Sequence, residues 1–350
     1  MPWPWSGAEH GCGWPCFLRE DCSVLEHGGR LRAAARRYGI PLSDWLDLST
    51  GVNPAGWPVP AVPAEVWVRL PEDDDGLERA ASAYYGCDSI FPVAGSQAAI
   101  QALPALLHAK RVGVIHPGYA EHAHAWRRAG HKVVGVAPET IARGPGSTPW
   151  DVLVAINPNN PTGHRFAPEI LLAWQERLAA RGGWLVVDEA YMDPTPEFSL
   201  AACCPRPGLI VLRSLGKFFG LAGIRVGFVL AEPELLERLA ALLGPWTVAG
   251  PSRWVAREAL ADSRWQEAAR QRLPENARQL ADLLAAGGLK SAGGCALFQW
   301  CPGVKAARRQ EALARQGILT RRFANPPGLR LGLPGSASAS ERLAMALLAR

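Results

Sequence analysis

The sequence predicts an α/β protein, with a large domain on a mostly parallel sheet and a smaller α+β domain after it. Three observations carry this expectation. Between about residues 90 and 230, short β-branched runs alternate with helical patterns, as in strand–helix–strand units. After residue 250 the order changes to long helices followed by short strands. The chain has 350 residues, 48% hydrophobic and 20% charged, which suits two or three domains of roughly 100 to 200 residues each.

The elements follow in chain order. Residues 1–23, rich in Pro, Gly, Trp and Cys, show no helical or strand period and read as a loosely ordered N-terminal extension. An arm over 24–48, opening with "VLEHGGRL", is expected to pack near the functional site. The large domain is placed at 49–245 and the small one at 246–350. In the large domain, "RVGVIHP", "HKVVGVA", "DVLVAINP", "GWLVVDEAY", "GLIVLRS" and "RVGFVLA" read as strands. "SQAAIQALPALLHA", "APEILLAWQERLAARGG" and "EPELLERLAALLG" carry apolar residues at helical spacing, with termini marked by Gly, Pro or a basic residue. In the small domain, "SRWVAREALADSRWQEAARQRL" and "ENARQLADLLAAGG" read as two helices separated at Pro274. "CALFQWC", "GILTRRF" and "GLRLGLP" read as strands.

Composition excludes several classes. A net charge of +5, spread without a basic block, argues against nucleic acid and suits a small anionic substrate. The apolar runs are far shorter than the roughly 18 to 20 residues of a membrane span. The first residues lack the features of a secretory signal, so a cytoplasmic location and reduced thiols are expected. Cys12, Cys16 and Cys22 are too loosely spaced for paired zinc ligands. His116, His122 and His124 lack a completing carboxylate, so no metal is expected. "GPGSTPW" lacks a P-loop lysine, and no Gly-x-Ser-x-Gly elbow occurs.

The chemistry centres on "RSLGKFFGLAGIRVGF", residues 213–228. The chain has 37 Lys plus Arg, of which only five are lysines, so Lys217 stands where arginine is otherwise preferred. A desolvated lysine amine can lose its proton and form a Schiff base with an aldehyde, whereas a guanidinium stays charged. Ser214 and Arg225 flank it with groups able to hold a phosphate. Asp188 ends a strand, where α/β proteins place ligands, and can face a protonated pyridine nitrogen; Tyr191 follows it. Asn160 precedes a Pro-Thr-Gly turn. Gly95, Ser96 and Gln97 open a helix whose N–H groups can point at an anion.

Taken in order, AGSQ, HPGY, NNPTG, DEAY, S-x-x-K and R-x-G resemble the aspartate-aminotransferase-like fold of pyridoxal-phosphate enzymes, fold type I, from about residue 24 to the C-terminus. The resemblance implies pyridoxal 5'-phosphate as cofactor, with Lys217 its covalent anchor and Asp188 the partner of its pyridine nitrogen. It implies that Asn160 and Tyr191 bond the ring hydroxyl, Tyr119 stacks on the ring, and Gly95, Ser96, Gln97, Ser214 and Arg225 cup the phosphate. Arg330 then matches the arginine that receives the substrate carboxylate. Where related aminotransferases usually place a tyrosine that reaches the partner subunit's cofactor, this chain has Leu70.

Within the fold, "EHGGRLRAAARRYGIP", "DLSTGVNPAGWP" and "RLPEDDDGLERAA" most resemble the threonine-phosphate decarboxylases of the cobalamin pathway, with histidinol-phosphate aminotransferases as sisters. That resemblance implies a homodimer acting on a phosphorylated amino acid gripped by Arg321. His27, Gly28 and Gly29 are expected to fold over the site, the glycine amides forming an anion nest. Three other readings stay open: a histidinol-phosphate aminotransferase or related transaminase, a non-catalytic binding or regulatory protein of the same fold, and a corrinoid-assembly partner that uses the extension as its contact.

Overall fold

A computed structural model of the chain describes residues 25–108, 110–146 and 149–348. The expected extension over 1–23, with Cys12, Cys16 and Cys22, lies outside the described residues. Strand β1 is Leu46–Asp47, and the next seven form one sheet: β2 Ile90–Val93, β3 Arg111–Ile115, β4 Lys132–Val136, β5 Val152–Ile156, β6 Trp184–Asp188, β7 Leu209–Ser214 and β8 Gly227–Leu230. Five strands follow in the C-terminal part: β9 Gly293–Cys295, β10 Phe298–Pro302, β11 Ile318–Leu319, β12 Arg321–Ala324 and β13 Pro327–Gly332.

The large sheet has the order β2-β8-β7-β6-β5-β3-β4. Strands β3 to β7 pair in parallel, while β8 runs antiparallel to both β7 and β2. Every residue of β5, β6 and β7 is buried, as a sheet covered on both faces requires. All six expected strands of this region are present. Strand β2 was not among them, because Pro92 interrupts its pattern; at the sheet edge proline costs no central ladder bond.

Topology brings the chemistry to one end of the sheet. Parallel strands β3, β5, β6 and β7 all deliver their C-terminal ends there, and antiparallel β8 begins there. Register fixes the alignment: Ile156 is opposite Asp188, and Gly227 is opposite both Ser214 and Val93. The loops carrying Tyr119, Asn160, Lys217, Arg225 and Gly95 therefore converge on one edge.

Strands β9, β10, β12 and β13 form an antiparallel sheet of order β12-β13-β10-β9. Strand β1 pairs in parallel with β11, Leu46 opposite Ile318, so the arm is stitched to the C-terminal part of the chain. The arm helix Leu31–Tyr38 reinforces this, its Tyr38 donating to Glu311 Oε2 at 2.6 Å. One contiguous apolar core runs from Leu153 and Val187 through Leu273 and Leu280 to Phe298 and Leu331.

The helical expectation needs one correction. No break occurs at Pro274: a single helix runs Ser263–Ala286 with that proline inside it. The chain breaks instead at Asp262, whose side chain accepts the Trp265 amide at 3.0 Å and caps the helix. An interior proline costs about 3 kcal/mol. Burial of Leu273, Ala277, Leu280 and Leu284 along one face of the same helix offsets that, at about 1.5–3 kcal/mol for each leucine.

Candidate active site

A cavity of about 1050 Å³ opens at the convergent edge of the large sheet, walled on the other side by the four-stranded sheet and the arm. It brings together Gly95, Ser96, Gln97, Tyr119, Asn160, Asp188, Tyr191, Ser214, Lys217, Arg225, Arg321, Arg330, His27 and Gly28. Of the expected residues, Gly29 alone is absent from its wall. The anticipated glycine nest is not formed, because the Gly29 N–H already donates to Ser49 Oγ at 2.8 Å.

The base of the site is buried and hydrogen-bonded. Asp188 is buried; its Oδ1 accepts the Ala190 amide at 3.0 Å and its Oδ2 lies 2.8 Å from His122 Nε2. Because a carboxylate only accepts, His122 presents its Nε2 proton to it. His122 was weighed in the sequence only as a metal ligand, and no signal there linked it to Asp188. Among the described residues no cluster of three His, Cys, Asp or Glu could hold a metal ion.

Lys217 is half-buried in the loop after β7, its Nζ 5.4 Å from the centre of the Tyr191 ring. The loops around Gly95 and Gly227, on the same cavity wall, are shaped by close approach. Gly95 has φ +72°, and a methyl group on it would sit 2.7 Å from Arg225 Nη2. Arg225 itself is left-handed at φ 55°. A Cβ on Gly227, the glycine of the R-x-G run, would lie 2.5 Å from the Ser96 amide nitrogen. Such a cradle of small residues, amides and a guanidinium suits a phosphate, and the same cavity presents an amine, Lys217, and a buried carboxylate, Asp188. The donor set fits pyridoxal phosphate.

Tyr119 donates to Gln97 Oε1 at 3.0 Å; burial, with Glu121 and Asp188 nearby, pushes its phenol up, so it stays protonated. Arg330 donates to Asn160 Oδ1 at 2.7 Å, to Tyr191 Oη at 3.2 Å and to the Ser49 carbonyl at 2.7 Å. Arg321 stands directly opposite Arg330 across β12 and β13. Like charges facing each other in a sheet are destabilising, so the pair calls for an anion. Burial and the Arg330 charge hold Arg321 below the usual guanidinium range. Arg321 also donates to the Glu26 carbonyl, anchoring the arm. Leu70 is 64% exposed beside the similarly exposed Trp67 and Val68.

Comparison with known proteins accords with this geometry. Residues 71–347 match the family described as aminotransferase class I and II, and the chain belongs to that family. It is 58% identical over 325 residues to a threonine-phosphate decarboxylase of Pseudomonas aeruginosa, spanning 93% of this chain and 98% of that protein. It is 42% identical to a threonine-phosphate decarboxylase of Sinorhizobium sp., spanning 92% and 97%. Among solved structures, histidinol-phosphate aminotransferase from Sinorhizobium meliloti in complex with pyridoxal-5'-phosphate superposes with a TM-score of 0.80 at 20% identity, covering 94% of this chain and 98% of that one. L-threonine-O-3-phosphate decarboxylase from Porphyromonas gingivalis gives 0.72 at 20% identity, covering 86% and 97%. At that identity the two structures establish the shared fold.

Proposed function

We propose that this member of the class I and II aminotransferase family is a pyridoxal-phosphate-dependent decarboxylase. It converts O-phospho-L-threonine to (R)-1-aminopropan-2-yl phosphate and carbon dioxide, in cobalamin biosynthesis. The observation that carries the reading is the facing pair Arg321 and Arg330 in the cavity that holds Lys217: two cationic grips for a substrate with a phosphate at one end and a carboxylate at the other. The extended similarity to proteins named threonine-phosphate decarboxylase favours decarboxylation over transfer of the amino group.

The cofactor, when bound, supplies a conjugated electron sink for whichever bond at the α-carbon stands perpendicular to its ring. The chain's residues then select the bond. Arg330, braced by Asn160, Tyr191 and the Ser49 carbonyl, holds the carboxylate; Arg321 and His27 hold the phosphate. Held at both ends, the substrate cannot rotate freely about its α-carbon. Asp188 would offer its carboxylate to the ring nitrogen. Gly95, Ser96, Gln97, Ser214 and Arg225 would hold the cofactor phosphate, and Asn160, Tyr191 and Tyr119 would contact the ring. Lys217 would hold the cofactor at its aldehyde carbon; displaced there by the substrate amine, its freed Nζ would return a proton to the α-carbon after the carboxylate leaves.

A cytoplasmic homodimer completes the reading. Among the described residues, Cys87, Cys203, Cys204, Cys295 and Cys301 are free thiols, as a reducing compartment allows. No helix among them is long and apolar enough to cross a membrane. Exposed Trp67, Val68 and Leu70 give a partner subunit apolar surface where related enzymes offer a tyrosine.

The test is to incubate the purified, cofactor-loaded protein with O-phospho-L-threonine and measure carbon dioxide, and separately to supply histidinol phosphate with 2-oxoglutarate. Carbon dioxide release supports the reading; glutamate formation without carbon dioxide reverses it. Lys217→Ala should lose the cofactor's bound absorbance band, and retention of the band would remove Lys217 as anchor.

A further inference from the structure

Behind the cavity wall lies a carboxylate that the reading above leaves unused. Glu121, in the helix Ala120–Arg128 that begins beside Tyr119, is 12% exposed and accepts three hydrogen bonds. Gln97 Nε2 reaches it at 2.9 Å, Gln101 Nε2 at 2.8 Å, and His27 Nε2 lies 2.7 Å from its second oxygen. The donors come from two parts of the chain, Gln97 and Gln101 from the helix Ser96–Ala102 and His27 from the arm. A negative charge beside two anion-binding regions is unfavourable in itself, so its placement needs a reason.

Hydrogen-bond directions supply one. A carboxylate only accepts, so Gln97 must turn its amide nitrogen toward Glu121 and leave Oε1 for Tyr119. The Tyr119 hydroxyl must then be the donor, as found at 3.0 Å. His27 must present a proton on Nε2, whether or not Nδ1 carries one. One carboxylate thereby sets the direction of every bond from the arm to the aromatic residue on the cavity wall. His27 is 39% exposed, and besides Arg321 on the Glu26 carbonyl and the Gly29 amide on Ser49, this contact is a further tether on the start of the arm.

We propose that Glu121 is a positioning residue that latches the arm through His27 and ties it to the Gln97–Tyr119 pair, so that the phosphate grip and the ring wall are set together. The proposal rests on the reading that this cavity takes a phosphorylated amino acid. The plainer alternative, a first-turn acid that merely stabilises its helix, predicts no effect on the arm.

The test uses the full-length, cofactor-loaded protein. In Glu121→Gln, hydrogen exchange of peptides covering residues 25–30 should quicken about tenfold, as expected for a low-stability segment that loses a tether. The KM for O-phospho-L-threonine should rise roughly tenfold, with kcat within about threefold, as for the loss of a hydrogen bond to a charged group. His27→Ala should act in the same direction and at least as strongly, and the double variant should be no worse than His27→Ala alone. Unchanged arm exchange in Glu121→Gln, or effects that multiply in the double variant, would overturn the proposal. If the unaltered protein released no carbon dioxide, the functional reading would fall while arm exchange still judged Glu121. Should Glu121→Gln not fold, His27→Ala decides, and unchanged arm exchange there overturns the latch.

Discussion

Replacing His122 by phenylalanine removes the side-chain donor to Asp188 while keeping a ring of similar size in a packed site. The two groups are 1% and 4% exposed and 2.8 Å apart, so the bond is buried and charge-assisted. Asp188 keeps the Ala190 amide on Oδ1, but Oδ2 loses its protein donor. A hydrogen bond to a charged group is worth about 1.5–3 kcal/mol. If the loss appears as folding stability, it corresponds to about 2–4 °C in Tm for a chain of this length, at roughly 2.1 cal/mol/K of unfolding entropy per residue. If it appears as misplacement of the carboxylate facing the cofactor, kcat/KM falls roughly 10- to 150-fold. Thermal melts with and without cofactor, together with steady-state carbon dioxide release, separate the two. A variant with unchanged melting and kcat/KM within about twofold of the unaltered protein would show that His122 only fills space, and the reasoning would be wrong.

Two further perturbations test the arm and the long helix. In Gly28→Ala the new methyl would lie 2.4 Å from the Ser49 carbonyl oxygen, a backbone atom that Arg330 also grips. Either partner must move about 1 Å to reach ordinary contact, and the arm's few bonds at about 1 kcal/mol each yield before the packed backbone does. The KM for the phosphorylated substrate should therefore rise about tenfold with little change in stability, and an unaltered KM would refute this. Asp262→Ala should cost about 1 kcal/mol in urea denaturation at neutral pH, because the helix loses its cap and Trp57 Nε1 loses its acceptor. The Trp265 amide and the Trp57 indole hold the Asp262 carboxyl below its usual range. Its contribution is therefore full above the unfolded value near ~3.9 and fades as pH falls through the lower folded one. The two proteins should converge in strongly acidic solution; a constant gap would contradict the assignment.

Much of the site was legible because the relevant signals are local. A β-branched run followed by Asp188, by Asn160 before its turn, or by Ser214 and Lys217 marks a strand end, and parallel strands put such ends together. Pro274 misled for a physical reason: the rule for an interior proline weighs one lost hydrogen bond, and the buried face of the helix outweighed it. Strand β2 was hidden by Pro92, harmless only because β2 lies at an edge.

The partnerships of His122, Glu121 and Ser49 left no trace in local pattern. Glu121 meets His27 across 94 positions of chain, and Arg330 meets Ser49 across 281. The sequence by itself determined the strands, the order of the motifs and the residue types at each strand end, since backbone hydrogen bonding and side-chain periodicity act over a few neighbours. The tertiary structure alone decided that Gly29 spends its amide on Ser49, that His122 braces Asp188, and that Arg321 faces Arg330. Those outcomes depend on which buried polar groups find partners when distant segments close on one another, and no short stretch of chain encodes such through-space pairing.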